Sequence, residues 1–140
     1  MDFSDCKRSQ MVKEAKIDRN LIHSLVQSSS KKFLSQKLLP LTQDTASSKV
    51  SLAYDSLREL LEALAISKGY KIYNHECFAA FLIEIMGQPN IASSFDKYRK
   101  ARNAINYYGK DISPNEAKDL LQRIEETIEK IKQMHGKELA

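Results

Sequence analysis

The sequence predicts an all-α protein, an antiparallel bundle of four to five helices in one domain. Apolar residues recur in long stripes at helical spacing, and no run alternates between polar and apolar residues for long. Only 4 glycines and 3 prolines occur in 140 residues, too few for a turn-rich β fold. A chain of this length can bury a core that needs no disulfide or metal.

The first helix is predicted from about Asp18 to Lys37. Pro40 ends this segment, because a proline keeps the preceding residue out of helical angles. The domain core is expected over about residues 17–135, with residues 1–16 as a short N-terminal helix or a mobile arm. The apolar positions of the first helix follow helical spacing: Ile17, Leu21, Leu25, Phe33 and Leu34.

The second helix follows a predicted loop at residues 42–49. The segment SLAYDSLRELLEALAISKG, which starts at Ser51, carries a single apolar stripe on a helical wheel. Gly69 is a natural terminator at its end, since glycine readily adopts the left-handed conformation of a helix C-terminus. The stripe consists of Ala53, Leu57, Leu60, Leu61 and Leu64.

The third helix, HECFAAFLIEIMG, is apolar on nearly every side. Asn74 can cap its start through the side-chain oxygen, and Gly87 and Pro89 close it. A helix of this kind must be covered on several sides, either by the bundle or by a second subunit. Its apolar residues are Cys77, Phe78, Ala79, Ala80, Phe81, Leu82, Ile83 and Ile85.

A fourth helix is predicted from about Ile91 to Tyr108, and a fifth begins after Ser113. Ser113 is a good N-cap, with Pro114 at the first helical position and Glu116 placed to complete a capping box. A long apolar stripe then predicts the buried face of the fifth helix: Ala117, Leu120, Leu121, Ile124, Ile128 and Ile131.

Composition restricts the function only loosely. The net charge of +4 and the pI of about 9.0 are compatible with an anionic partner, but many basic proteins have none. Cys6 and Cys77 are far apart in sequence and lack metal-ligand spacing, so we expect no metal site and no cofactor. No segment resembles a signal peptide or a membrane span, and we therefore expect a cytoplasmic protein with reduced thiols.

The stretch RKARNAINYYG, residues 99–109, is the candidate functional site. On a helical wheel the apolar face holds Tyr98, Ala101, Ile105 and Tyr108. The opposite face holds Arg99, Arg102, Asn103 and Asn106, with Tyr107 at its border.

Two interpretations of the polar face stay open at this point. The arginines can be solvated or paired with acids such as Asp96 or Asp55, as most surface charges are. Alternatively, the face binds an anion: guanidinium groups match phosphate oxygens, asparagine amides can contact a base edge or ribose, and Tyr107 can stack on a base. Asp55 and Arg58 are either a surface pair or a support for these arginines.

The histidines are weaker candidates. His75 is expected at the first position of its helix rather than as a catalytic base. His23 is expected on the surface, and His135 lies where an imidazolium suits the negative end of a helix dipole. None has a partner at metal-ligand spacing, and no glycine-rich phosphate loop is present.

Over roughly residues 48–135 the chain resembles the HEPN family (higher eukaryotes and prokaryotes nucleotide-binding). The first run that carries the resemblance is SLAYDSLR at residues 51–58, followed by Gly69 and then Asn74-His75 at the start of an apolar helix. The second is R-x-x-R-N-x-x-x-Y-x-G over residues 99–109, followed by the Ser113 cap.

The resemblance implies a bundle of four or five helices, often dimeric. Members frequently work beside a minimal nucleotidyltransferase, commonly as a toxin–antitoxin pair. The active ones are metal-independent endoribonucleases whose motif is an arginine and, a few residues later, a histidine, with two protomers forming one cleft. The arginine would stabilise transition-state charge and the histidine would transfer a proton.

The chain departs from this motif at Tyr107, which stands where the histidine is expected. A phenol with a pKa near ~10 is a poor general base at neutral pH. We therefore expect a nuclease-deficient subunit that binds nucleotide or RNA and associates with a nucleotidyltransferase, and that forms a homodimer. The expected binding residues are Arg99, Arg102, Asn103, Asn106 and Tyr107, with Asp55 and Arg58 in support.

Two other functions remain as alternatives. One is a metal-independent endoribonuclease toxin that uses Arg102 and Tyr107 as catalytic residues. The other is a structural, oligomerising helical bundle without a ligand. In related toxin–antitoxin pairs a nearby tyrosine accepts a nucleotidyl group, and here Tyr107, or less favourably Tyr108, would be that acceptor.

Overall fold

Six helices and one small sheet make up the protein, described over residues 1–140 in a computed structural model. The helices are α1 (Phe3–Arg8), α2 (Arg19–Leu38), α3 (Ala46–Ser67), α4 (His75–Glu84), α5 (Pro89–Tyr108) and α6 (Pro114–Met134). Strands β1 (Val12–Glu14) and β2 (Tyr70–Ile72) pair antiparallel. The predicted all-α bundle is confirmed, and the sheet is an addition that the sequence did not predict.

Helix α3 lies at the centre of the bundle. Helices α2, α5 and α6 all pack against it, and α4 packs on α5. Every residue of the predicted α3 stripe is fully buried, from Ala53 to Leu64. Each buried leucine contributes about 1.5–3 kcal/mol relative to exposure, so this stripe is a main source of the bundle's stability.

The start of α3 corrects the predicted loop at residues 42–49, because the helix already begins at Ala46. The polar residue Lys49 is buried, and its ammonium donates to the backbone carbonyls of Gln36 and Leu39 at the end of α2. These contacts join the end of α2 to the start of α3, and the local sequence could not have predicted them. Apolar residues of this turn form a small second cluster with the start of α6: Ala46, Val50, Ile112 and Ala117.

The N-terminal residues form a helix and a strand rather than a mobile arm. Asp2 and Asp5 form a capping box at the start of α1, and Phe3 is buried in the main core. In the sheet, Val12 pairs with Ile72. Strands of three residues are too short to show an alternating pattern, which is why the sequence did not reveal them.

A disulfide joins Cys6 of α1 to Cys77 of α4. The prediction of two separate, reduced thiols is therefore wrong in this structure. Separation along the chain does not limit distance in space, and α1 folds back onto α4 so that both sulfur atoms are fully buried.

The helix ends largely follow the predicted capping residues. The Asn74 side chain accepts from the backbone N–H of Glu76, and Ser113 accepts from that of Glu116. In a standard capping box the Glu116 carboxylate would accept from the backbone N–H of Ser113. Here it accepts from the Ser113 hydroxyl instead. Gly69 and Gly109 take left-handed angles, with φ of 84° and 64°.

Helix α4 is covered mainly by its own bundle. Phe78, Phe81 and Leu82 are buried, whereas Ile83 and Ile85 on the same helix are exposed. The bundle thus covers most of the apolar helix and leaves a short apolar strip at its C-terminal end. None of the six helices combines the length and the hydropathy that crossing a bilayer requires.

Candidate anion-binding site

Three arginines meet where α3, α5 and the start of α4 come together. We call Arg58, Arg99 and Arg102 the arginine cluster. Asp55 lies between two of its members: its Oδ1 is 3.6 Å from Nη2 of Arg102 and 3.9 Å from Nε of Arg58. Asp55 thus lies between Arg58 and Arg102 of α5, and the Asp55–Arg58 pair is not an isolated surface pair.

Buried aromatic rings form the floor of the cluster. Tyr54 stacks on Phe95 with ring centroids 5.5 Å apart, and Phe78 meets Phe95 edge-on at 5.9 Å. The guanidinium carbon of Arg102 lies 5.0 Å from the centroid of the Tyr54 ring, a cation–π contact. This stack determines where α5 places its arginines relative to α3.

Arg99 is paired with acids, as the first interpretation of the polar face expected. Its Nε and Nη2 donate to Oδ1 of Asp96 at 3.2 and 2.7 Å, and Nη1 is 3.8 Å from Glu76. These bonds hold the pKa of Asp96 below its ordinary value. The charge of Arg99 is thus largely neutralised within the protein.

Arg102 has far fewer partners. Its side chain is only 14% exposed, yet its one hydrogen bond is a long one of 3.4 Å, from Nη1 to Oδ1 of Asn103. Its Nε is buried and has no hydrogen-bond partner. A guanidinium carries five N–H donors, and leaving a buried donor unsatisfied costs about 1–3 kcal/mol. Arg102 is therefore the residue of the site with most capacity for an added acceptor.

The remaining polar residues of α5 lie toward its end. Asn103 is partly buried beside Arg102, and Asn106 is exposed, with its Oδ1 accepting from Ser51 at 3.3 Å. Tyr107 is 69% exposed and reaches into solvent rather than toward the core. The structure thus brings Arg102 and Asn103 to the cluster, while Asn106 and Tyr107 are on the outer surface nearby.

The prediction that Tyr108 faces the core is wrong, since its side chain is 83% exposed. Tyr98 of the same predicted face is buried and bonds Thr127 of α6 at 3.0 Å, and Ile105 is partly buried. A helical wheel shows which residues share a face, but it does not show how far along the helix a neighbouring helix packs against that face. The last turn of α5 extends beyond the neighbouring helices, so Tyr108 is exposed.

Tyr54 and His75 complete the site, and sequence reasoning assigned neither a role. His75 occupies the first position of α4, as predicted, and its Nδ1 lies 2.9 Å from the Tyr54 hydroxyl. Tyr54 and Arg58 are one turn apart on α3, a spacing that could have suggested a shared face. Nothing in the sequence brings His75 to them, because this contact depends on how α4 packs.

Both groups of this pair are neutral at neutral pH. Burial, and then the charges of Arg58 and Arg102, lower the pKa of His75 to about 4. Burial raises the pKa of the Tyr54 hydroxyl well above its usual range. Of the other histidines, His23 is exposed, as predicted, and His135 is buried at the C-cap of α6, 3.8 Å from Glu138.

We expect His75 to make the protein less stable as the pH falls. Its pKa is about 4 when folded and near 6.5 when unfolded, so between these values the unfolded chain binds a proton that the folded chain does not. The loss between pH 6.5 and 4 should be on the order of 1–2 kcal/mol, because the ring is only partly buried and solvent screens its charge. Urea unfolding at several pH values measures it.

His75→Gln is the matched control for this pH dependence. Glutamine does not titrate, and its amide can still bond the Tyr54 hydroxyl. The wild type should lose more stability than this variant over the same pH interval. Parallel profiles for the two proteins would show that His75 does not carry the effect.

Comparison with known proteins does not assign a function to the site. No family model, curated protein or solved structure matches the chain. The structure also brings together no group of three or more His, Cys, Asp and Glu side chains suited to a metal ion. What the site offers is cationic and donor-rich, which suits an oxyanion such as phosphate. Fold and site together show a helical bundle with a cluster of three arginines where α3, α4 and α5 meet.

Proposed function

We propose that the protein is a HEPN-like, nuclease-deficient subunit that binds the phosphate of a nucleotide or RNA at the arginine cluster. The observation that supports this most is the buried, under-bonded guanidinium of Arg102. The resemblance over residues 48–135 supports the nucleotide or RNA class of ligand. The expected partner, a minimal nucleotidyltransferase, and the expected homodimer depend on that resemblance alone.

The balance of charges favours Arg102 as the phosphate ligand. Arg99 has Asp96 and Glu76, and Arg58 has a close ion pair with Glu62. Arg102 has only Asp55, at 3.6 Å and shared with Arg58. A phosphate at its two terminal nitrogens would supply strong, charge-assisted acceptors in the bidentate geometry that a guanidinium prefers.

The residue at the position of the motif histidine supports binding without cleavage. The expected histidine is replaced by Tyr107, whose phenol is exposed to solvent. The imidazole that does lie near Arg102 is His75, and its Nδ1 is engaged by Tyr54. The site therefore resembles an anion-binding site more than an acid–base pair.

We expect Arg102→Ala to weaken binding of a labelled single-stranded RNA by about 10- to 100-fold at roughly 50 mM salt. The physical reason is the loss of a bidentate, charge-assisted contact. Arg102→Lys should be intermediate, since lysine keeps the charge but not the planar fork. Fluorescence polarisation measures the affinities, and thermal unfolding checks that each variant is folded.

Arg123→Ala is the matched control, because it removes the same charge from an exposed position on α6 where Arg123 pairs with Asp119. Its binding should be close to that of the wild type. Equal losses for Arg102→Ala and Arg123→Ala would attribute binding to overall charge and contradict the proposal. A wild-type protein that binds neither RNA nor mononucleotide at low salt would also contradict it.

A further inference from the structure

A cavity of about 440 Å³ opens beside the arginine cluster. Its walls come from α2, α3, β2 and the residues just after β2. Arg58 and His75 line it and also contact Asp55 and Tyr54 of the site described above. The cavity thus shares Arg58 with the arginine cluster, and its volume is that of a typical small-ligand site.

The lining of the cavity combines apolar side chains with positively charged ones. Leu25 and Ile66 belong to the apolar wall, and Tyr73 adds an aromatic ring that is 55% exposed. Arg58 and Lys71 supply positive charge. Lys13 adds more, since its ammonium lies 5.6 Å from the centroid of the Tyr73 ring. This combination suits a ligand with a flat, weakly polar body and an anionic end.

Glu62 is the carboxylate in this lining. Its Oε1 pairs with Arg58, and burial raises its pKa above the ordinary value for a glutamate. Its Oε2 makes no hydrogen bond and can accept one from an N–H of a ligand held in the cavity. A nucleobase offers such N–H groups on its edge, whereas an acyl chain does not.

We propose that this cavity binds the base of a nucleoside monophosphate whose phosphate is held at the arginine cluster by Arg102. This inference rests on the proposed function, which concerns the phosphate, and it adds a binding site for the base. The ring of Tyr73 would pack against the base, the apolar wall would cover its face, and Glu62 would accept from its edge. The nucleotide is either free or the phosphorylated end of an RNA, since both present the same base and phosphate.

Calorimetry on the full chain with AMP, ribose 5-phosphate and inorganic phosphate tests the base pocket. We expect AMP to bind about 10-fold more tightly than ribose 5-phosphate, because stacking and burial of the base add to the phosphate contact. Tyr73→Ala should remove most of this advantage and leave ribose 5-phosphate unchanged. Leu21→Trp, at a partly exposed position on the cavity wall, should fill the space and block AMP.

Tyr108→Ala is the matched control, since it removes an exposed tyrosine away from the cavity. It should bind all three probes as the wild type does. A 5′-phosphorylated RNA oligonucleotide, added in competition with AMP, distinguishes the sources: both bind if the site accepts either, and the stronger competitor identifies the preferred one.

Equal affinities for AMP and ribose 5-phosphate, or an unchanged AMP affinity in both Tyr73→Ala and Leu21→Trp, would overturn the base pocket. The proposed function would still stand if Arg102→Ala weakened ribose 5-phosphate binding in the same experiment. If none of the probes bound, or Arg102→Ala had no effect on any of them, the proposed function would fail as well.

Discussion

Replacing Phe95 with alanine is expected to lower the free energy of unfolding by about 3–5 kcal/mol. Phe95 is fully buried on α5 and lies between Tyr54 of α3 and Phe78 of α4. Removing its ring takes away apolar contact on both sides and leaves a cavity that the packed helices can close only in part.

The same substitution should weaken the candidate site. Arg99 and Arg102 follow Phe95 on α5 at one and two turns, so the aromatic stack sets their distance from Asp55 and His75. Arg102-dependent RNA binding should therefore decrease in Phe95→Ala, even under conditions where the variant is fully folded. Urea unfolding followed by circular dichroism measures stability, and polarisation measures binding.

Phe33→Ala serves as the control for losing a phenylalanine. Phe33 on α2 is only partly buried and lies away from the arginine cluster. It should cost less stability and leave RNA binding unchanged. If the two variants lost equal stability and both bound RNA normally, the aromatic stack would not have the role assigned to it.

The second large effect is expected from the disulfide. The double variant Cys6→Ala, Cys77→Ala should unfold with a free energy about 3–4 kcal/mol lower than the oxidised wild type. The bond closes a loop with a sequence separation of 71 residues and so restricts the unfolded chain considerably. Alanine is the appropriate substitution because both positions are fully buried, and a serine would bury a hydroxyl.

Reduction provides an independent measurement. Wild-type protein in excess reductant should lose stability in the same direction as the double variant, while the double variant itself should not respond. Thiol titration of the unfolded protein without reductant should detect no free cysteine. Two titratable thiols, together with no effect of reductant on stability, would contradict the bond.

Loss of this bond should also loosen the cavity. Helix α1 is held to α4 by the disulfide, and β1, which follows α1, pairs with β2. Residues of β2 and Tyr73 line the cavity. The N-terminal segment thus supports a wall of the proposed base pocket, and Lys13 of β1 adds positive charge beside Tyr73.

Most of the helices could be predicted because their signals are local. The α3 stripe, the Asn74 and Ser113 caps and the terminator Gly69 each act within a turn or two of the chain. The starts of α3 and α5 were predicted less well. Ala46 is buried against Ile112 and Ala117, and a pattern in residues 42–49 cannot show this contact.

The candidate site was predicted in part. The wheel over residues 98–108 correctly separated the polar face with Arg102 from the face with Tyr98. It could not show that Arg99 is neutralised by acids or that Arg102 is left nearly without partners, because both depend on side chains of other helices. It also predicted that Tyr108 lies in the core, but this side chain is exposed because no neighbouring helix covers it.

By itself the sequence determined the fold class, the order of the long helices and the polar content of α5, because periodicity and capping are properties of neighbouring residues. Only the tertiary structure decided that Cys6 reaches Cys77, that His75 bonds Tyr54, and that a cavity adjoins Arg58. These contacts join residues 21 to 71 positions apart, and only the packing of α1, α3 and α4 brings them within bonding distance.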